Sequence, residues 1–268
     1  MASSSGGGGA GSLMHGSTKP RREPFFVADG ADYPLEHFAI PPQYRVRPPS
    51  AIPCPPPACA PSRPGAPPFP QAYLKSVLLP HGLVLDRVEK LAADIREDYP
   101  ASTPHLLVVL KGGSEFAVDL TRTLRRLHSF SEARHLPFTV DYVRVKSYSG
   151  TESTGTVTIT GIDLRSLAGR DVIVLEDIID TGLTMQTLLP ELAKYGPTSV
   201  RVGALLEKRT HKSNGFKADY AGFSVPDAFV VGYNLDYNEA FRDMPHICII
   251  NQQGVEHFEA HPVLQGLQ

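Results

Sequence analysis

The sequence predicts an α/β protein with a mainly parallel sheet flanked by helices. The first observation is the apolar run at residues 172–175, which is typical of a strand buried on both faces of a sheet. The second is the alternation of such runs with helical patterns, which indicates right-handed crossovers between parallel strands. The third is the stretch directly after residue 175, where two carboxylates and two isoleucines lead into a small-residue loop that opens a helix. Ligands of open α/β sheets bind at such strand ends.

The other elements have their own signals. A helix is expected over residues 84–95, where apolar residues recur at helical spacing, and a buried strand at 106–110 precedes a second amphipathic helix. The polar stretch 147–155 predicts a mobile loop. Pro190 falls inside the helix after the central loop and predicts a kink or a restart there. Further strands are expected at 138–145, 157–160, 202–206, 229–233 and 247–250.

Composition divides the chain into four regions. Residues 1–30 are Gly/Ser-rich and then basic, which predicts a disordered tail. Residues 31–45 are more structured in character. From 41 to 70, 13 of the 30 residues are proline, which excludes helix and central strand. We therefore expect a flexible insertion at 46–70, with a ligand for an SH3-like partner as the alternative, and a compact domain over 71–268.

The overall composition is ordinary for a globular chain. Of the 268 residues, 41% are hydrophobic and 20% are charged, and the formal net charge is -2. This balance gives no broad attraction to nucleic acid or to an anionic membrane, and no apolar run reaches the roughly 20 residues of a membrane span. Three cysteines give no disulfide framework, and the N-terminus has no apolar signal-peptide core. We expect a cytoplasmic protein without a nucleic-acid or membrane partner.

The stretch 176–184, Glu-Asp-Ile-Ile-Asp-Thr-Gly-Leu-Thr, combines acids with a loop suited to phosphate. Backbone N–H groups at the start of a helix bind phosphate, and glycine lets the backbone wrap around the anion. Carboxylates cannot bind the same anion by charge. Glu176 and Asp177 must therefore face sugar hydroxyls, a metal-bound water or a proton to be removed, so the pattern predicts a phosphorylated sugar as the ligand.

Residues 172–184 resemble the signature for 5-phosphoribosyl pyrophosphate (PRPP) of the type I phosphoribosyltransferases, and more narrowly of their hypoxanthine-guanine branch. The resemblance covers about residues 73–258 with a short match at 32–44, and the proline-rich segment is absent from the family. It implies the type I phosphoribosyltransferase fold with a small hood, to which residues 31–45 contribute. Four further stretches carry it: Leu110-Lys111-Gly112-Gly113, Lys146-Ser147-Tyr148, Lys208-Arg209-Thr210, and residues 229–243.

The implied reaction transfers the phosphoribosyl group from magnesium-bound PRPP to hypoxanthine or guanine, giving IMP or GMP and pyrophosphate. Such a glycosyltransferase serves purine salvage, and the resemblance also implies a homodimer or homotetramer. Glu176 and Asp177 are expected to hold the ribose hydroxyls. Asp180 resembles the catalytic base that takes a proton from purine N7, a role typically worth about 10² to 10⁴ in rate. The 5′-phosphate is expected to lie against Asp180, Thr181, Gly182, Leu183 and Thr184.

The resemblance also implies how the purine is chosen. Lys208 is expected to bind the 6-oxo group, since a lysine ammonium has donors only. Phe229 is expected to stack on the base, and the backbone of Val230 to read its edge. Ser147 and Tyr148 are further implied substrate-binding residues.

The pyrophosphate and magnesium contacts rest on resemblance as well. Lys111 and Gly112 resemble the pyrophosphate loop, in which the peptide bond between Leu110 and Lys111 is cis, and Arg242 resembles a second pyrophosphate ligand. Asp236 resembles the residue that holds Mg²⁺, an ion that prefers hard oxygen ligands. The other predicted magnesium ligands are two acids of the central motif, Glu176 and Asp177.

Two departures from the family pattern leave an alternative open. Leu183 stands where the family usually has lysine or arginine, and His211-Lys212 replaces the usual Pro-Arg. A paralogue branch, named for its phosphoribosyltransferase domain, lacks the base at the position of Asp180 and has weak activity; residues 219–223 are similar to it. The presence of Asp180 favours an active enzyme. The alternative is a non-catalytic relative that binds purine nucleotides and acts as a regulatory or interaction protein.

Overall fold

Two sheets with flanking helices make up the part of the chain that the computed structural model describes: residues 20–34, 73–100, 102, 104–129, 138–147 and 157–259. In chain order the strands are β1 (Phe25–Phe26), β2 (Leu74–Leu79), β3 (His105–Leu110), β4 (Thr139–Ser147), β5 (Val157–Thr160), β6 (Asp171–Ile179), β7 (Ser199–Lys208), β8 (Tyr220–Val225), β9 (Val230–Val231) and β10 (Ile247–Ile250). The helices are α1 (His81–Asp98), α2 (Gly113–Ser129), α3 (Leu183–Ala193) and α4 (Gln252–Glu259).

The larger sheet has seven strands in the order β1-β8-β7-β6-β3-β4-β5. Neighbouring strands are parallel except for β4 and β5. This confirms the predicted α/β fold with a mainly parallel sheet. The strand order reverses between β3 and β6, and ligands of open sheets bind at such a switch point, outside the carboxyl ends of the strands. The segments after β3 and after β6 therefore meet where a ligand site is expected.

The central strands are buried on both faces because successive side chains of a strand point to opposite sides. In β3, Leu106 and Val108 belong to the core cluster formed with α1 and α2. Leu107 and Val109 belong to a second cluster, which includes residues of α3. Two cores on one sheet explain why the predicted strands read as continuous apolar runs.

Pro190 lies within α3, which continues to Ala193 without restarting. A proline removes one internal hydrogen bond of a helix. Here Met185, Leu188 and Leu192 are fully buried in the second core cluster. Packing of this apolar face stabilises the helix through the proline, as tertiary contacts rather than propensity stabilise most helices in proteins.

A three-stranded antiparallel sheet in the order β2-β10-β9 forms the second unit, which corresponds to the implied hood. Val77, Val231 and Phe241 belong to its core. Tyr33 exchanges two backbone hydrogen bonds with Val77, at 2.7 and 3.0 Å, so the N-terminal segment reaches this sheet. Residues 35–45 lie outside the described ranges.

The segment from residue 20 to 30 packs against the edge of the large sheet. β1 pairs in parallel with β8. Arg21 Nη2 lies 2.6 Å from Glu207 Oε2, and Arg22 Nη2 lies 3.0 Å from Asp98 Oδ1. The Glu207 and Asp98 side chains are almost fully buried, and buried carboxylates need such partners. The predicted disorder is therefore wrong for residues 20–30, because composition does not reveal partners distant in sequence; residues 1–19 lie outside the described ranges.

Replacing Arg21 with Met is expected to lower the melting temperature by several degrees. Glu207 would keep the Ala218 N–H at 2.8 Å and Lys217 Nζ at 3.5 Å, and Arg21 is partly exposed. We therefore expect a loss of about 1–2 kcal/mol, or roughly 3–6 °C for a domain of this size. Thermal unfolding followed by circular dichroism measures it, with Arg165→Met at an 85% exposed side chain as the matched control. Equal melting temperatures would show that the ion pair between Arg21 and Glu207 does not stabilise the sheet.

Some predictions lie outside the described residues and stay predictions: the insertion at 46–70, the boundary at 71, and residues 148–155 of the loop predicted at 147–155. Ser147 itself ends β4, so the predicted loop begins one residue too early. Within the described residues, the hydrophobic periodicity did not predict β2 or β8, and β9 is shorter than the predicted strand 229–233. Of the helices in the described ranges, none combines the length and the apolar character that crossing a membrane requires.

Candidate active site

Two carboxylates lie side by side near the carboxyl end of β6. Glu176 is 8% exposed, and its Oε2 has no hydrogen-bond partner among the described residues. Burial and the negative charge of Asp177 hold the pKa of Glu176 well above its usual range, and burial also raises the pKa of Asp177. A buried oxygen without a donor is costly. Sugar hydroxyls would supply the missing donors, which agrees with the role expected for this pair.

The chain directly after β3 touches Asp177. A Cβ built on Gly112 would overlap the Asp177 carboxylate, so the close approach requires glycine at this position. The peptide bond between Leu110 and Lys111 is cis, as the resemblance implied. Two segments expected to bind different parts of PRPP are therefore in contact at the switch point of the sheet.

The loop at residues 180–184 turns the chain from β6 into α3. Gly182 has a φ of 83°, a left-handed conformation that favours glycine, and a Cβ there would overlap the Asn214 side chain. α3 begins at the next residue, Leu183, whose N–H lies 3.4 Å from Thr181 Oγ1. The first amides of a helix have no intrahelical partner and attract an anion. Leu183 is 59% exposed, so an apolar side chain stands where the family usually has a cation.

Lys208 at the end of β7 connects this loop to an exposed aromatic ring. Its Nζ lies 2.8 Å from Asp180 Oδ2 and 6.0 Å from the centre of the Phe229 ring. The Lys208 side chain is 10% exposed, whereas about half of Asp180 and of Phe229 is exposed. Tyr237 meets Phe229 edge-to-face, with ring centres 5.2 Å apart. A planar base stacked on Phe229 would lie beside a hydrogen-bond donor, the Lys208 ammonium, and a proton acceptor, the Asp180 carboxylate.

An ion-pair network joins the segment after β3 to the loop before β10. Arg242 Nη2 lies 2.7 Å from Asp236 Oδ1 and 3.2 Å from Glu239 Oε1, and Lys111 Nζ lies 2.8 Å from Glu239 Oε2. The positive charge of Arg242 also offsets part of the rise in the pKa of Asp177. Arg242 therefore acts electrostatically on Asp177 of β6 as well as on the carboxylates of its own loop.

The loop that carries this network has an unusual backbone. Asn234 Nδ2 donates to the carbonyl oxygen of Lys111 at 2.6 Å and to Ser114 Oγ at 2.8 Å, which fixes the two segments together. Non-glycine residues rarely adopt positive φ and persist there only where surrounding contacts hold them. Five residues of this loop do so: Tyr233, Asn234, Asn238, Glu239 and Phe241.

For the remaining residues expected at the site, the structure gives a position in the fold and little about their contacts. Val230 is buried in β9 and pairs with Ile249 of β10. Thr184 lies in the first turn of α3. Ser147 ends β4, but its side chain and the whole of Tyr148 lie outside the described residues. The structure thus gathers the expected residues into two groups, Lys111, Gly112, Asp177, Asp236 and Arg242 in one and Asp180, Lys208 and Phe229 in the other.

Comparison with known proteins decides the family. The sequence profile of the phosphoribosyl transferase domain matches residues 76–238, more than half of the chain. The chain belongs to the phosphoribosyltransferase family.

Its relatives include both the active branch and the paralogue branch. Human hypoxanthine-guanine phosphoribosyltransferase is 48% identical over 188 residues, which cover 70% of this chain and 86% of the relative. Human phosphoribosyltransferase domain-containing protein 1 is 47% identical over 194 residues, covering 71% and 86%. The crystal structure of hypoxanthine-guanine phosphoribosyltransferase from Schistosoma mansoni in complex with IMP matches with a TM-score of 0.65 and 33% identity, over 88% of this chain and 98% of that chain. The predicted type I phosphoribosyltransferase fold is confirmed.

Sequence reasoning missed two residues of the site in this phosphoribosyltransferase, Asn234 and Glu239. Both lie within the stretch 229–243 that carried the resemblance, but a single Asn or Glu in a loop is ordinarily a solvated residue. Asn234 has a φ of 70°, a conformation in which asparagine is enriched. Neither the composition nor the spacing of the loop could show that both side chains contact the segment after β3.

The three acids expected to bind magnesium do not form a site by themselves. Within the described ranges, no three His, Cys, Asp or Glu side chains converge closely enough to hold a metal ion. Asp236 already forms an ion pair with Arg242 and accepts a hydrogen bond from the N–H of Glu239, whereas Glu176 Oε2 has no partner among the described residues. Carboxylates are nonetheless the hard ligands that Mg²⁺ uses, and this ion usually keeps several waters and binds substrate phosphates. The residues therefore fit a magnesium ion that takes only a few of its ligands from the protein and the others from water and substrate.

Proposed function

We propose that this chain is a hypoxanthine/guanine phosphoribosyltransferase, which moves the 5-phosphoribosyl group from PRPP to either base. The products are IMP or GMP and pyrophosphate, and the reaction belongs to purine salvage. One observation carries the proposal: Lys208 Nζ lies 2.8 Å from Asp180 Oδ2, beside the exposed ring of Phe229. A donor for a 6-oxo group and an acceptor for a proton thus lie next to one stacking surface. The family and the relatives of the chain support the same activity.

In this proposal the sugar phosphate lies along the end of β6. The amides at the start of α3 bind the 5′-phosphate, and Gly182 lets the backbone turn around it. The ribose hydroxyls donate to Glu176 and Asp177, and the buried Glu176 Oε2 has no other donor among the described residues. Binding of both ends of the ribose phosphate fixes C1 relative to the base, and such positioning can supply several kcal/mol of a barrier, up to about 7–11.

The chemical step then needs little covalent participation from the protein. A purine nitrogen bonds to ribose C1 while the bond from C1 to the pyrophosphate oxygen breaks with its electron pair. The proton that the purine loses at N7 goes to the carboxylate of Asp180. Lys208 donates to the 6-oxo oxygen, and a 6-amino group would meet a second donor there. A site built for one hydrogen-bonding edge rejects the wrong edge by about 10⁴ or more.

Pyrophosphate is held, in the same proposal, by Lys111, the backbone at Gly112 and Arg242. Asp236, with Glu176 and Asp177, would hold Mg²⁺ together with waters and substrate phosphates. The ion when bound would neutralise charge that develops on the leaving pyrophosphate. The close contact between Gly112 and Asp177 brings the pyrophosphate loop to the ribose-binding acids. Leaving group and ribose are therefore bound at adjacent positions.

Assembly and location are part of the proposal as well. We expect a homodimer or homotetramer, as in the resemblance, working in the cytoplasm. The exposed rings of Phe25 and Phe26 on the edge strand β1 supply apolar surface that a second copy of the chain could cover.

The second candidate is a catalytically weak relative that binds purine nucleotides and acts through partners. It is favoured by the 47% identity to human phosphoribosyltransferase domain-containing protein 1, which is almost as high as the identity to the human enzyme. Asp180 argues against it, because a carboxylate stands where that branch lacks the base.

Incubation of the purified chain with PRPP, Mg²⁺ and labelled hypoxanthine separates the two candidates. We expect labelled IMP, with no nucleotide formed from adenine or orotate at comparable rates and none after magnesium is chelated. Binding of IMP without turnover above the rate of the Asp180→Asn variant would support the second candidate instead. Comparable rates with adenine would contradict the proposed substrate class.

A further inference from the structure

The carboxylate of Glu239 forms ion pairs with both cations that the proposed function assigns to pyrophosphate binding, Lys111 and Arg242. Its Oε2 lies 2.8 Å from Lys111 Nζ, and its Oε1 lies 3.2 Å from Arg242 Nη2. Arg242 Nε adds a third contact, at 3.3 Å from Oε2. One side chain thus bridges a cation from the segment after β3 and a cation from the loop before β10. Pyrophosphate, which has oxygens on two adjacent phosphoryl groups, would need the same two positions that the Glu239 oxygens take.

The backbone holds Glu239 in this place. Its φ of 66° is in the left-handed region, which L-residues other than Asn and Asp seldom adopt. Its N–H donates to Asp236 Oδ2 at 2.7 Å, and Asn234 ties the same loop to the carbonyl oxygen of Lys111. A glutamate in this conformation persists because these contacts define it.

Charge favours the same arrangement. Both partners of Glu239 are cations, and its carboxylate contacts each of them directly. Asp236 takes a further Arg242 contact at 2.7 Å. The two cations are thus paired with carboxylates of the chain itself, and an anion that binds both cations must displace at least Glu239 from them.

We propose that Glu239 is an internal competitor for pyrophosphate, whose carboxylate holds Lys111 and Arg242 until the anion displaces it and returns when the anion leaves. The proposal rests on the proposed function, because that function makes the two cations pyrophosphate ligands. Glu239 weakens pyrophosphate binding and thereby assists release of this product. The multiply charged anion still wins the exchange, since it carries more charge than one carboxylate.

Titration of the full chain with inorganic pyrophosphate in magnesium buffer tests the proposal. Glu239→Gln keeps the shape of the side chain and removes its charge. We expect the Kd for pyrophosphate to fall about three- to tenfold, since two partly exposed ion pairs each contribute only modestly. Glu256→Gln is the matched control, because Glu256 lies in α4 and, among the described residues, its side chain accepts from the exposed Gln252. The control is expected to leave the Kd unchanged.

Two further variants keep the outcome decisive. Glu239→Asp retains the charge but cannot reach both cations, so we expect its Kd to fall less than that of the glutamine variant. This variant provides a test even if the glutamine variant folds poorly. An unchanged or higher Kd in the Gln and Asp variants would overturn the proposal, since Glu239 would then position the cations rather than compete for them. Lys111→Met separates this failure from failure of the proposed function. A Kd unaffected by Lys111→Met would mean that pyrophosphate binds elsewhere.

Discussion

Asp180→Asn is expected to lower kcat by about 10² or more, because an amide can accept a hydrogen bond but cannot take the proton from the purine. The substituted side chain keeps the size of Asp180 and an oxygen that can face Lys208 Nζ, now 2.8 Å from the carboxylate. Substrate affinities should therefore change much less than kcat. Steady-state kinetics with hypoxanthine and PRPP measure both quantities.

Asp163→Asn provides the matched control for this substitution. Asp163 is exposed and accepts from the N–H of Arg165 at the start of the short helix Leu164–Leu167, outside both groups of site residues. Its variant should keep kcat. A drop of less than threefold in the Asp180 variant would remove the base assignment and favour the weakly catalytic relative.

Lys208→Met is expected to lower kcat/KM for hypoxanthine by about ten- to a hundredfold. Methionine keeps much of the apolar stem, which is almost buried, and removes the ammonium. A purine carbonyl then loses a charge-assisted hydrogen bond worth about 1.5–3 kcal/mol. Adenine loses its penalty for facing a donor, so the ratio of adenine to hypoxanthine kcat/KM should rise. An unaltered ratio would show that Lys208 does not choose the base.

The structure changes one expectation for this variant. The loop at residues 180–184 is not distant from Lys208, since Asp180 is its ion-pair partner. Loss of the ammonium therefore leaves Asp180 without its partner, and a modest change in the KM for PRPP is expected beside the larger effect on hypoxanthine. Lys194→Met, at an exposed residue paired with Glu191 after α3, is the control for removal of a lysine. It should change neither substrate.

Much of the fold and the central motif could be predicted from residues adjacent in sequence. The run at 172–175 belongs to a strand that is covered on both faces. Two acids follow it, and a loop with a glycine then leads into a helix. Such features depend on local hydrophobic pattern and turn chemistry, which the sequence displays directly. Edge elements were harder: β1 has two exposed phenylalanines and is held in part by the ion pair of Arg21 with Glu207.

By itself, then, the sequence determined the α/β class and the strand-loop-helix unit that begins at residue 172, and it predicted that the acids of this unit face a phosphorylated sugar. Only the tertiary structure decided which residues meet across the sheet. The pairing of Lys208 with Asp180, the contact of Gly112 with Asp177 and the bridge from Glu239 to Lys111 each join residues that lie in or after different strands. The first two contacts arise because the parallel strands β3, β6 and β7 bring their carboxyl ends to one edge, and the third because the loop after β9 packs on the segment after β3. The geometry of all three depends on side-chain packing that no local pattern encodes.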